Sequence, residues 1–82
     1  MNIKIKFFGQ HKEELNKSEL NIVIDSNSNS NISDLVKILI KNEPKFSKFN
    51  SYAVAVNLNY ENFEYILKNG DEVAIIPPVS GG

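Results

Sequence analysis

Alternation opens the chain. In residues 2–8, Ile3, Ile5 and Phe7 fall on one face and Lys4, Lys6 and Phe8 on the other, the period of a half-buried strand. The two lysines set the second face against water, which leaves Phe8 as a large aromatic on the wet side. Two readings of Phe8 stand: a partly covered strand end, or a contact for a partner. Gly9 breaks the strand, and a polar, turn-prone stretch runs from there to Ser18. Residues 19–25 alternate again, with Leu20, Ile22 and Ile24 inward, so the first two strands read as a hairpin.

The Asn/Ser run at 26–30 reads as a loop. Asn31 can cap a helix, with Asp34 three positions on completing a variant capping box. Ile32, Leu35, Val36 and Leu39 then recur at helical spacing and predict a buried stripe. Pro44 ends that helix near Asn42, because the residue before proline is pushed out of the α region. Residues 45–50 form a connector whose Phe46 and Phe49 are expected under the sheet as core. A third strand is predicted over 52–57 and a turn over 58–60. Residues 61–67 hold either a short edge strand or a helical turn. Asn69-Gly70-Asp71 is a turn signal, and residues 72–76 make the last strand, ended by Pro77-Pro78, neither of which can donate to a ladder. The class is α+β: a mixed sheet with one main helix packed on one face.

Composition narrows the function classes. At 82 residues the chain is one small domain, burying roughly 60–65% of its unfolded surface. Hydrophobic residues are 41% and charged residues 23%, with a mean hydropathy of −0.26, ordinary values for a soluble globular chain. There is no Cys, which excludes disulfides, zinc knuckles and cysteine nucleophiles. One histidine, His11, excludes a histidine-rich metal site and reads as a solvated loop residue. The net charge is −1 and every basic residue is Lys, which argues against a nucleic-acid binder. The longest apolar stretch, 35–40, is interrupted by Lys37, so neither a membrane span nor an export segment is expected, and the location is read as cytoplasmic.

The body of the chain offers little chemistry. No phosphate-cradling glycine motif and no nucleophile elbow is present. Glu13-Glu14 and Asp71-Glu72 are sequence neighbours, read as solvated surface. The tail differs. It runs Pro77-Pro78-Val79-Ser80-Gly81-Gly82 straight after a strand. A terminal Gly-Gly arises by chance about once in 200 chains, but the rigid di-proline before it favours an extended exit. Six residues reach up to about 20 Å. Glycines without side chains can thread a narrow tunnel and leave a terminal carboxylate open on both faces. Residues 1–76 are thus read as a domain and residues 77–82 as a flexible, reactive tail.

These features resemble the ubiquitin-like β-grasp sulfur carriers, most closely the small subunits of molybdopterin synthase (the MoaD type). The resemblance rests on Ile5-Lys6-Phe7-Phe8-Gly9, the capped helix from Asn31 to Leu39, Ala55-Val56-Asn57, and the run from Gly70-Asp71-Glu72-Val73-Ala74-Ile75-Ile76 through Pro77-Pro78-Val79-Ser80-Gly81-Gly82. It covers essentially the whole chain, and the last thirteen residues are its specific part. Thiamine-pathway carriers share the fold and the Gly-Gly end but typically lack the Pro-Pro-Val approach.

The resemblance implies a carrier that is not an enzyme by itself. A ubiquitin-activating-enzyme-like adenylyltransferase, which supplies the ATP site, would adenylate Gly82. A sulfur donor would then displace AMP and leave a thiocarboxylate, splitting one hard substitution into two easier ones. The tail would enter the large subunit, in a heterotetramer, and pass sulfur to precursor Z to build the molybdopterin dithiolene. No cofactor is expected on this chain. The family's apolar sheet patch for its partners maps to Phe8, Tyr60 and Ile76. Where the family often has Arg after the first strand this chain has Lys12, so a bidentate contact there is lost. The alternatives are a carrier for thiamine or another thiolation pathway, and a ubiquitin-like protein modifier.

Overall fold

The computed structural model describes residues 1–25 and 29–78; residues 26–28 of the predicted loop and the tail residues Val79, Ser80, Gly81 and Gly82 lie outside them. The elements run β1 (Asn2–Phe7), α1 (Gly9–Leu15), β2 (Glu19–Val23), α2 (Ile32–Asn42), a 3₁₀ turn (Pro44–Lys48), β3 (Ala53–Val56), β4 (Asn59–Glu61) and β5 (Glu72–Ile76). The strands form a mixed sheet in the order β2-β1-β5-β3-β4. β1 and β5 pair in parallel at the centre, and the remaining pairs are antiparallel.

The alternation fixes which face is dry. Ile3, Ile5 and Phe7 of β1, Val73 and Ile75 of β5, and Val54 and Val56 of β3 all turn inward and are buried. They meet Ile32, Leu35 and Leu39, the stripe of α2, with Val36 partly buried beside them. The helix begins as its sequence dictates. Asn31 Oδ1 accepts from the Asp34 N–H at 2.9 Å and the Asp34 carboxylate accepts from the Asn31 N–H at 3.0 Å, a reciprocal capping box. It stops at Asn42, two residues short of Pro44, which opens the 3₁₀ turn.

Five expectations need correction. The stretch after Gly9 is a helix, α1, and not a turn-prone loop, so β1 and β2 pair as an antiparallel neighbour pair joined by a helix. His11 is not solvated: it is fully buried, one helical turn before buried Leu15, and the two form the inward face of α1. Asp71 is not a surface partner of Glu72. Inward–outward alternation continues one residue before β5, turning Asp71 in, where its carboxylate accepts from Asn57 Nδ2 and the Lys68 N–H at 2.8 Å each and from the Tyr65 hydroxyl at 3.4 Å. Finally, the predicted 58–60 turn sits one residue earlier. The loop is Asn57–Leu58, and Asn59–Glu61 is edge strand β4. The third strand begins at Ala53, not at Tyr52, whose partly buried ring packs against Phe46 of the 3₁₀ turn.

Candidate functional site

The face of the sheet turned away from α2 is built by the residues that alternation sends outward. In register across the strands lie Lys6, Ala74, Ala55 and Tyr60, and beside that row Ile76 stands opposite Ala53. The face has two halves. Toward the start of β5 it is charged and internally paired: Lys6 meets Glu72 at 3.5 Å and Lys4 meets Glu19 at 3.9 Å. Toward the end of β5 it is apolar, with Ala53, Ala55 and Ala74 as a shallow floor between larger side chains.

All three residues expected to meet a partner are on this face. Phe8 follows β1 with extended backbone (φ −136°, ψ 159°), so the alternation carries through and leaves it 45% exposed. Ile76 comes one residue after the Phe7–Ile75 pair, level with Phe8 in the neighbouring strand, and is half-buried. Tyr60 is 73% exposed on β4. Two strand spacings, roughly 10 Å, separate β4 from β5, and only alanines fill that gap on this face. The contrast within one dipeptide is sharp: Phe7 is buried in the core and Phe8 stands outside.

The tail root is set beside the patch. Gly9 has a left-handed backbone (φ 53°), and a Cβ there would approach Pro77 Cγ to 3.2 Å. Pro77 therefore rests on the start of α1, Pro78 is exposed, and the four residues that would carry the chemistry follow. Lys12 is exposed on α1.

Behind the sheet, reasoning from sequence missed a second group. His11 lies among the rings of Phe46, Phe49 and Tyr52, with centroids at 5.5, 4.4 and 5.9 Å, the last two edge-on. Phe46 also stacks at a tilt with Phe7, Phe49 and Tyr52. Neither nitrogen of His11 has a hydrogen-bond partner among the described residues, and burial holds its pKa below the ordinary 6.5. The available signal was the i, i+4 spacing of His11 and Leu15. The box shores up α1 and so the shelf under Pro77.

Two shallow grooves share the rings of Tyr52 and Phe63. One, about 160 Å³, is completed by Ser33, Val36 and Lys37. The other, about 260 Å³, runs along Ala53, Val54, Tyr60 and Glu61. Among the described residues no group of His, Asp or Glu could hold a metal ion, and no helix is long and apolar enough to cross a membrane. The arrangement suits a surface that is bound.

Comparison with known proteins agrees in extent. The ThiS family model matches residues 5–82. A molybdopterin synthase sulfur carrier subunit of Chlamydomonas reinhardtii is 33% identical over the full length of both chains. Among solved structures, SAMP1 of Haloferax volcanii, a small archaeal modifier protein, superposes with a TM-score of 0.88 at 21% identity, covering both chains fully. A complex of subunits 1 and 2 of molybdopterin-converting factor from Helicobacter pylori contains a chain matched at a TM-score of 0.69 and 24% identity, again over all of both chains. These two likenesses establish a ubiquitin-like β-grasp fold, and the family match and the full-length relative place the sequence: the chain belongs to the ThiS family.

Proposed function

We propose that this chain is the sulfur carrier (small) subunit of a molybdopterin synthase. The observation that carries the reading is a relative of that name, 33% identical along the whole of both chains. The apolar half-face beside the tail root supports it, because a carrier must be held while its end reaches into another protein. In this reading residues 77–82 are the working tail and Gly82 the reactive residue. The Gly82 carboxylate attacks the α-phosphorus of ATP on an adenylyltransferase, expelling pyrophosphate. Sulfur from a donor then adds to the acyl carbon and AMP leaves, so the bond to sulfur replaces the bond to phosphate oxygen. Gly81 and Gly82 pass a narrow entrance in the large subunit. There the thiocarboxylate sulfur passes to precursor Z, water takes its place on the acyl carbon and restores the Gly82 carboxylate, and after two rounds the dithiolene is complete. Phe8, Tyr60 and Ile76 hold the large subunit and, in exchange, the adenylyltransferase. This chain binds no cofactor in the cycle, and it acts in the cytoplasm.

Intact mass of the untagged chain from its native host tests this. A fraction heavier by one oxygen-to-sulfur exchange at Gly82 is expected, together with complete loss of sulfur transfer when Gly82 is deleted or the chain is extended past it. Full transfer by an extended chain overturns the reading. A chain joined through Gly82 to lysines of other proteins replaces it with the modifier reading.

A further inference from the structure

The tip of the β3–β4 hairpin carries a residue that its backbone does not favour. Asn57 (φ 49°) and Leu58 (φ 74°) are both left-handed, as a two-residue loop of the type I′ kind requires. Asn57 suits the position and is clamped there. Its Oδ1 accepts from the Glu72 N–H at 3.0 Å, its Nδ2 donates to Asp71 at 2.8 Å, and its own N–H donates to the Glu72 carbonyl at 2.9 Å. Leu58 does not suit: the second position of such a loop favours glycine, since a Cβ there crowds the following carbonyl. Nothing in the fold rewards the leucine, because its side chain is 94% exposed, the most exposed of the large hydrophobic residues described. A side chain that is both strained and unburied contributes to the folded domain only a cost.

The tip lies level with the start of β5, beside Glu72, and Tyr60 links it to the apolar half-face. Tyr60 is two residues along the same hairpin, opposite Ala55, which lies opposite Ala74. The charged side chains nearest this strip on β1 and β5, Lys6 and Glu72, neutralise each other, so the strip calls for an apolar partner surface and not a charged one. We propose that Leu58 is an anchor for the large subunit, extending the docking surface from the tail root at Phe8 and Ile76, past Tyr60, to the hairpin tip. This rests on the carrier reading and adds to it a residue whose strain is explained only by a partner.

The experiment titrates the large subunit with wild type, Leu58→Asn, Leu58→Gly and Phe8→Ala, and takes the Tm of each. Asparagine and glycine both accept the left-handed backbone, so these variants are expected to melt at or above the wild-type temperature while binding about tenfold more weakly. Stability and affinity then move in opposite directions, which a merely structural residue does not do. Wild-type affinity in both Leu58 variants, with Phe8→Ala weakened, overturns the assignment and leaves the carrier reading standing. Failure of wild type itself to bind overturns the carrier reading, and the anchor with it.

Discussion

Phe7 and Phe8 are neighbours in sequence, yet they belong to two regions with opposite economies. Phe7 points into the side of the sheet where Phe46, Phe49, Tyr52 and His11 close on one another. Phe8 points to the side where Tyr60 and Ile76 are separated by alanines. Inside, Phe7, Phe46, Phe49, Tyr52 and His11 each have another ring against them, and their presence is accounted for by the stability they lend. Outside, large apolar side chains stand over small ones, and the described residues leave them partly or largely uncovered. The difference teaches that residue type alone does not separate core from interface. Which side of the sheet a residue takes, set by a period of two, does.

The widest gap between the regions is expected in truncation. Phe46→Ala removes a fully buried ring that touches Phe7, His11, Phe49 and Tyr52 and should cost about 3–5 kcal/mol. For a domain of this size that is a large part of a net stability of roughly 4–12 kcal/mol. Tyr60→Ala, on the open face, should change stability by no more than about 0.5 kcal/mol while weakening binding of the large subunit. Urea denaturation of both variants checks the first half and calorimetric titration the second. Equal losses of stability would erase the distinction.

How far the sequence could reveal these regions follows from where the deciding contacts lie. The α2 capping box was legible because both partners are within four residues, and the outward placement of Phe8 and Ile76 because alternation is local. α1 was not legible, since its inward face depends on accepting a histidine as a core residue. The rings that make His11 acceptable, Phe46, Phe49 and Tyr52, are thirty-five or more residues away. Asp71 was misread for the same reason: two of its three donors, the Asn57 amide and the Tyr65 hydroxyl, arrive from outside the turn. The hairpin turn slipped by one residue because Leu58 occupies a place where glycine would have announced it. The tail chemistry proposed for Gly82 and the five residues before it rests on the sequence alone.

The aromatic box should also make stability depend on pH in a way the open face does not. His11 has no carboxylate partner in the box. On the two elements that hold it, Glu14 of α1 is tied to Lys48 of the 3₁₀ turn, and Tyr52, whose ring stands edge-on to His11, has its hydroxyl pKa pushed up by burial. With the folded pKa held below 6.5, the unfolded chain takes up the proton first as pH falls. Stability is therefore unaffected well above 6.5 and declines as pH drops through it. The slope is at most about 1.4 kcal/mol per pH unit, and it levels off once the folded histidine also protonates. His11→Phe keeps the ring packing and removes the titration. Denaturation midpoints at pH 7.5 and 5.5 should converge for the variant relative to wild type; parallel losses in both would mean that the box carries no such cost.

The smallest effect concerns the charged half of the outer face, and it decides what kind of surface the apolar half is. Lys6 and Glu72 are 3.5 Å apart with side chains 38% and 42% exposed, so the pair is solvated and worth less than about 0.5 kcal/mol. Lys6→Met should leave the urea midpoint nearly unchanged. Its effect on large-subunit binding should be smaller than that of Phe8→Ala and should fade with added salt, because an exposed charge acts mainly on the rate of encounter. A loss exceeding that of Phe8→Ala would mean that the partner reads charge across β1 and β5, and that the alanine floor between Ile76 and Tyr60 is incidental. A small, salt-sensitive loss would leave the apolar strip as the part of the face that holds the partner, with the ion pairs only framing it.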